Sequence, residues 1–197
     1  SNVDLDAWMD DGSRVRGETK ITASHQRIVE LRMVPANAKP LPETLRAIEK
    51  ADVITIGPGS LFTSLIPNLL VRDIPAAIAS SRAVKIFVCN LMQQANESLG
   101  LTAAQHLQAI RSHARLKVFD YALVNTAEIS PSLLTKYREQ NSAPVICDRD
   151  AIEAMGVRCV EGDFLEEVDV VRHNTNAIAR KIVQLARIPL ARSASAK

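Results

Sequence analysis

The sequence predicts an α/β fold: a mainly parallel sheet with helices on both faces, preceded by a β-rich antiparallel hairpin segment. Three observations carry this. From Asp52 onward, short apolar runs alternate with stretches of helical periodicity, the pattern of βαβ units in a doubly wound, Rossmann-like sheet. Val53–Ile56 stops at Gly57-Pro58-Gly59, a turn that joins a buried strand to a helix start. Before residue 35 the pattern is instead alternating, with turn residues between short runs.

Length and composition bound the answer. The chain has 197 residues, 47% of them apolar, enough for one domain with a real core. Lys and Arg number 24 against 22 Asp and Glu, a net charge of +2. That balance argues for neither a nucleic-acid nor a membrane surface. No apolar run is long enough to span a bilayer, and the polar start carries no signal-peptide pattern. The 3 cysteines, Cys89, Cys147 and Cys159, are odd in number and show no metal spacing. They read as reduced thiols in a cytoplasmic protein.

Leu5, Ala7 and Met9 alternate with polar neighbours, so this stretch reads as a half-buried strand. Asp11-Gly12 then turns the chain, and Arg14-Val15-Arg16 resumes an extended pattern, which makes a hairpin. Ile21 and the run from Ile28 to Val34 are further strand candidates, and His25 falls between them. No helix signal is read before residue 35. This β-rich segment, residues 1–34, precedes an α/β ligand-binding domain over 35–190 and a frayed tail over 191–197. Three prolines mark a linker from Pro35 to Pro42, and Pro42 suits the first turn of a helix with Leu45 and Ile48 on one face.

The strand candidates that follow are Val53–Ile56, Lys85–Cys89, Tyr121–Val124, Val145–Cys147 and Val157–Val160. The helix candidates are Ser64–Val71, Thr102–His113, Pro131–Gln140, Ala151–Met155 and Thr175–Ala186. Their ends carry the expected chemistry. Thr102 and Gln105 form a capping box, and Ser130 precedes a first-turn proline. Gly156 closes a helix, and Asn174 caps the last one.

In an open parallel sheet, ligands bind beyond the carboxyl ends of the strands. The residues there are Gly57 to Ser60, Asn90, Asn125 and Asp148. A strand, a glycine turn and a helix start direct free N–H groups at one spot, which suits phosphate. The spacing alone leaves an ordinary strand-to-helix turn open, and either Asn by itself merely closes a turn. Taken together beside the glycine turn, they mark a site. Arg172 can pair with phosphate as a planar fork, against a plain surface ion pair. Tyr137 can stack on a nucleobase, against packing under the loop at Gln140 to Ala143. His173 stands between Arg172 and a helix start. There is no nucleophile elbow and no metal-binding His pair. The sequence nominates no catalytic residue and no metal ligand.

The stretch Gly57-Pro58-Gly59-Ser60-Leu61-Phe62-Thr63-Ser64, ending in Pro67-Asn68, resembles a hallmark of the gluconeogenesis factor (YvcK-like) family. That family is a distant relative of 2-phospho-L-lactate transferase (CofD). Val88-Cys89-Asn90-Leu91-Met92 and Val171-Arg172-His173-Asn174 resemble two further family segments. The resemblance covers the chain from about Leu5 to about Ala186. By match, it nominates Gly57, Gly59, Ser60, Thr63, Asn68, Asn90, Tyr137 and Arg172 as ligand-binding, beside Asn125 from the strand-end argument. Two departures stand out. Gln93-Gln94-Ala95-Asn96-Glu97-Ser98 replaces the family's Thr-Gln-Pro-Gly-Glu-Thr, so a rigid Pro-Gly turn is lost. The family's N-terminal Gly-rich loop has no counterpart, so the chain reads as the C-terminal part of a longer protein.

The resemblance implies a nucleotide-sugar ligand of the UDP-N-acetylglucosamine type, in a regulator linking carbon metabolism to cell-wall synthesis and cell shape. It brings in a cell-wall precursor enzyme as a protein partner. The missing acid, base and nucleophile favour binding without turnover and without a cofactor. The alternative is a CofD-like transferase acting on a nucleoside-diphosphate-linked 2-phospholactate-type substrate, with a divalent metal bridging the phosphates. A ligand-free structural domain is the third reading. A sheet cut short exposes an edge, so self-association, or completion by an absent N-terminal segment, is expected.

Overall fold

The computed structural model describes residues 3–24, 26–95 and 97–188. His25 and the tail 191–197 lie outside them. The chain opens with strand β1 (Asp4–Met9), which pairs antiparallel with β2 (Arg14–Arg16) on one side and β3 (Ile28–Val34) on the other. Asp11-Gly12 makes the expected turn, with Gly12 at φ 82°. Leu5, Ala7 and Met9 are buried as their alternation requires, yet Asp6 between them is buried as well. Its carboxylate is held by the Arg14 guanidinium across the β1–β2 pair. The same strands place Trp8 between Arg14 and Arg32, whose guanidinium carbons lie 5.0 and 4.6 Å from the ring centre.

One expectation fails in this segment. Ile21 lies in a one-turn helix, α1 (Glu18–Thr22), and not in a strand. Gly17 precedes it at φ 97°, and the turn drives the Ile21 side chain into the core. A single buried residue within five leaves no periodicity to read.

After α2 (Pro42–Lys50), with Leu45 and Ile48 against the core, the parallel sheet begins. Its order is β4 (Val53–Ile56), β5 (Val84–Val88), β6 (Tyr121–Asn125) and β7 (Arg158–Gly162). All three pairings are parallel, so the carboxyl ends share one edge. Side chains alternate between the two faces. Val84, Ile86, Val88, Tyr121 and Leu123 face one side, where Ile178 and Leu185 of α8 (Thr175–Ala186) cover them. Phe87, Ala122, Val124 and Cys159 face the other, against α3 (Ile66–Leu70), α5 (Ala103–Ala114) and α7 (Arg149–Ala154). Leu5, Ala7, Met9, Ile28 and Leu31 of the antiparallel sheet join that second cluster, so the two sheets share one core.

The local signals hold where they are strongest. Thr102 and Gln105 form the reciprocal capping box. Asn174 accepts from the Ala177 N–H at the start of α8, and Gly156 leaves α7 at φ 78°. Ser130 precedes α6 (Pro131–Glu139), but its hydroxyl makes no cap bond. A helix the sequence reading passed over, α4 (Ile74–Ser80), starts at a first-turn proline and buries Ile74 and Ile78.

A second expectation is overturned at Val145–Cys147, which is not a strand. The Val145 N–H reaches the Leu91 carbonyl, and Pro144 forms one isolated bridge with Met92. The position beside β6 is taken by β7, so this apolar run has no ladder to join. Asp148 accordingly does not sit at a strand end. Its carboxylate accepts from Thr102 Oγ1 (2.6 Å) and the Ala104 N–H (2.8 Å), tying the start of α5. After β7 a hairpin, β8 (Leu165–Glu167) and β9 (Val171–His173), forms a separate two-stranded sheet.

Candidate functional site

The site builds from the end of β4. Gly57 has φ 91°, and a Cβ there would lie 2.4 Å from the Val88 carbonyl oxygen. Only glycine satisfies both conditions. The Gly57–Pro58 peptide is cis. At Gly59 a Cβ would meet side-chain atoms only, Leu65 at 3.2 Å and Ser64 at 3.6 Å, so the strict glycine requirement falls on Gly57. The chain then enters a π-helical turn, Leu61–Leu65, before α3. The Ser64 and Leu65 N–H groups both donate to the Ser60 carbonyl, at 3.0 and 2.9 Å. Such wide turns recur at functional sites.

Asn90, just beyond β5, clamps this loop. Its Oδ1 accepts from the Gly59 N–H (3.1 Å), and its Nδ2 donates to the Gly59 carbonyl (2.9 Å). The amide thus closes a two-bond ring on one residue of the loop, which an Asp carboxylate, having no donor, cannot do.

The loop after Asn90 supplies a second brace that the sequence reading missed. Gln94 donates to Ser60 Oγ (2.9 Å). Glu97, only 5% exposed, accepts from the Phe62 N–H (3.0 Å) and from Thr63 Oγ1 (2.6 Å). Its carboxylate occupies the position at the helix start where an anion is favoured. Gln93 holds the base of the loop by accepting from the Gly100 N–H (2.8 Å). A signal existed: within the replaced family segment, Gln94 and Glu97 keep the family's residue types.

The bracing has a chemical consequence. The Gly59 and Phe62 N–H groups are already used. Those of Ser60, Leu61 and Thr63 have no partner among the described residues; Leu61 is fully buried, so Ser60 and Thr63 are the donors left for a ligand. Gln94 Oε1 is a buried acceptor with no partner among the described residues.

The other nominated residues fall into two groups. Asn125 ends β6 at the same edge, but its amide is spent internally. It donates to the Ala127 carbonyl (3.0 Å) and accepts from the Phe164 N–H (2.9 Å), so it closes a turn. Asn68 is exposed on α3 and donates to the Ser64 carbonyl (2.7 Å). Tyr137 and Arg172 belong to one ensemble: the Tyr137 hydroxyl accepts from the Val171 N–H (3.0 Å), fixing the hairpin strand that carries Arg172. Arg172 is exposed and lies across from Glu166. Lys136 and Ser130 add ties from α6 to the hairpin, at Asp169 and Glu167.

His173 joins this ensemble to the glycine loop. Its Nε2 lies 3.0 Å from the Cys89 carbonyl, next to Asn90. A carbonyl only accepts, so Nε2 carries the proton and Nδ1 is the bare nitrogen. Burial pushes the imidazole below its usual range, against the opposing pull of that carbonyl. The ring therefore stays neutral near pH 7. The glycine loop, Asn90, His173 and the hairpin thus follow the carboxyl edge in sequence of strands β4, β5 and β6.

The comparisons agree with this architecture. Residues 1–165 match the family described as 2-phospho-L-lactate transferase CofD. The gluconeogenesis factor of Halalkalibacterium halodurans is 42% identical over 184 residues, covering 93% of this chain and 57% of that protein. That of Bacillus subtilis is 38% identical over 188 residues, covering 95% and 59%. A crystal structure of a Bacillus halodurans member of the UPF0052 family superposes with a TM-score of 0.89 at 42% identity, covering 92% of this chain and 59% of that one. The chain spans little more than half the length of these relatives. With residues 1–165 matched by that family and these relatives 38 and 42% identical along nearly the whole chain, the chain belongs to the CofD family, among its gluconeogenesis-factor-like members.

Proposed function

We propose that the chain forms part of a UDP-sugar-binding regulatory protein, with a ligand of the UDP-N-acetylglucosamine type. The observation that carries this reading is the loop Gly57–Ser60, locked by Asn90 and Gln94 at the carboxyl edge of the sheet, with the Ser60 and Thr63 N–H groups beside it unspent among the described residues. In this reading the diphosphate accepts from the Ser60 and Thr63 N–H groups and from the Ser60 hydroxyl. Arg172 supplies the counter-charge as a fork, and the Tyr137 ring stacks on the base. Asn125 shapes the wall and Asn68 the rim. Glu97 repels an anion from the inner side of the helix start, which directs the phosphates outward toward Ser60. The name that the relatives carry supports a regulatory role in carbon metabolism, and the link to cell-wall synthesis, cell shape and a cytoplasmic precursor enzyme belongs to the same proposal.

The family match favours a second reading, a transferase for a nucleoside-diphosphate-linked 2-phospholactate-type substrate with a divalent metal between the phosphates. One experiment separates the two. A full-length version of the protein is titrated calorimetrically with a panel of UDP-sugars, with and without magnesium, and the mixtures are analysed for products. Saturable binding of UDP-N-acetylglucosamine with no product supports the regulator. Magnesium-dependent product formation supports the transferase. Affinity for no UDP-sugar, or an unchanged affinity in Asn90→Ala, sinks the site as described.

A further inference from the structure

Cys147, Cys159 and Glu161 are separated in sequence, and the fold brings them to one point on the far side of the sheet edge from the glycine loop. Cys159 and Glu161 lie two apart on β7 and so share a face. Cys147 comes from the extended segment ahead of α7. The two sulfurs are 3.8 Å apart, and Cys147 Sγ is 3.7 Å from Glu161 Oε1. All three ligand atoms lie within 4.8 Å of one another.

These separations have a chemical meaning. A tetrahedral zinc with Zn–S of about 2.3 Å and Zn–O of about 2.0 Å sets sulfur–sulfur and sulfur–oxygen edges of about 3.8 and 3.5 Å. Two of the three edges, those at Cys147, thus already have the lengths such a tetrahedron sets, and the third, from Cys159 to Glu161, lies within 4.8 Å. Access is graded in the right direction. Cys159 is buried, Cys147 is half-buried and Glu161 is exposed, so the cluster opens to solvent at its carboxylate. Arg149 supports it from outside the triangle: Nε donates to Glu161 Oε1 (2.7 Å) and Nη1 to the Cys159 carbonyl (3.3 Å). Metal-binding carboxylates are held by such outer partners. Arg149 places a positive charge beside the two thiolates and the carboxylate, and its Nη1 also donates to Glu153 Oε1 (2.9 Å).

We propose that Cys147, Cys159 and Glu161 form a binding site for a thiophilic divalent cation of the zinc type, with three protein ligands and a fourth position open to water. Two sulfur ligands select against magnesium and calcium, which prefer oxygen. As the cation binds, each thiol gives its proton to solvent and the resulting thiolates donate to the metal.

The test uses the whole chain, reduced with a phosphine and stripped by a chelator that is then removed. Cobalt(II) is titrated in as a spectroscopic probe, followed by zinc. The expected result is a thiolate-to-cobalt charge-transfer band with intense tetrahedral visible bands, saturating at one equivalent and erased by one equivalent of zinc. Cys147→Ser abolishes the band, as does Cys159→Ser. Cys89→Ser leaves it unchanged. Glu161→Gln keeps the band but weakens affinity about 10-fold or more, on the scale set by lost metal partners. Melting curves establish which variants fold, and the half-buried Cys147 carries the test where the Cys159 variant does not. No charge-transfer band with excess cobalt overturns the proposal, as does a band that survives in folded Cys147→Ser.

Discussion

Replacing Glu97 by Ala tests the bracing of the glycine loop most directly. The carboxylate is nearly inaccessible and accepts two bonds, from the Phe62 N–H and Thr63 Oγ1. Removing it strands the buried Phe62 N–H, at a cost of about 1.5–3 kcal/mol for a lost bond to a charged group. It also removes a negative charge from a helix start, worth about 0.3–1 kcal/mol. The Thr63 hydroxyl is only part-buried and regains water, so it adds little. The sum is about 3 kcal/mol, or about 6–12 °C in melting temperature for a chain of this size. Glu97→Gln keeps the shape while losing the charge: its amide oxygen accepts from the Phe62 N–H and its amide NH2 donates to the Thr63 hydroxyl, reversing that bond, so it is expected to cost about 1 kcal/mol. The assay is urea unfolding of the three proteins at neutral pH, followed by tryptophan fluorescence and circular dichroism. A Glu97→Ala loss below about 1 kcal/mol, or equal losses for Ala and Gln, would falsify the claim that this carboxylate holds the helix start.

Three further outcomes follow from the same geometry. Gly57→Ala should cost about 1–3 kcal/mol in backbone strain before its clash with the Val88 carbonyl is counted, and Gly59→Ala much less; thermal melts of the pair that rank them the other way refute the assignment. His106 is buried against the Thr102 carbonyl, and burial holds its imidazole below the usual range, with that carbonyl and Asp148 opposing. The unfolded chain therefore binds its proton first, so His106 lowers stability as pH falls below about 6.5 and toward its folded value; a His106→Met variant should lose less stability than the parent between neutral pH and that window, as read by urea titrations at each pH. Asn174→Ala should cost about 1 kcal/mol by uncapping α8, with a lower urea midpoint and an unchanged slope.

Much of the architecture is legible in the sequence, because it is written over short distances. The Thr102–Gln105 box, the Asn174 cap and Gly156 each act within about one helical turn, so local residue types are enough to place them. The strand β4, its glycine turn and the alternation of strands and helices are likewise local patterns, and they bring Gly57, Asn90 and Asn125 to one edge once the sheet is parallel. What those residues do at the edge is another matter. Asn90 and Asn125 look alike in sequence, yet one clamps the glycine loop and the other closes its own turn. Val145–Cys147 has the composition of a strand but no neighbour to pair with, and α1 is too short for its period to show. Glu97 on Phe62, His173 on the Cys89 carbonyl and Cys147 beside Cys159 join positions 35, 84 and 12 residues apart. Periodicity and capping describe a residue's neighbours along the chain. A hydrogen bond or a metal-sized gap between distant segments exists only after the core has packed and fixed their separation to within a few tenths of an ångström, and that decision belongs to the tertiary structure.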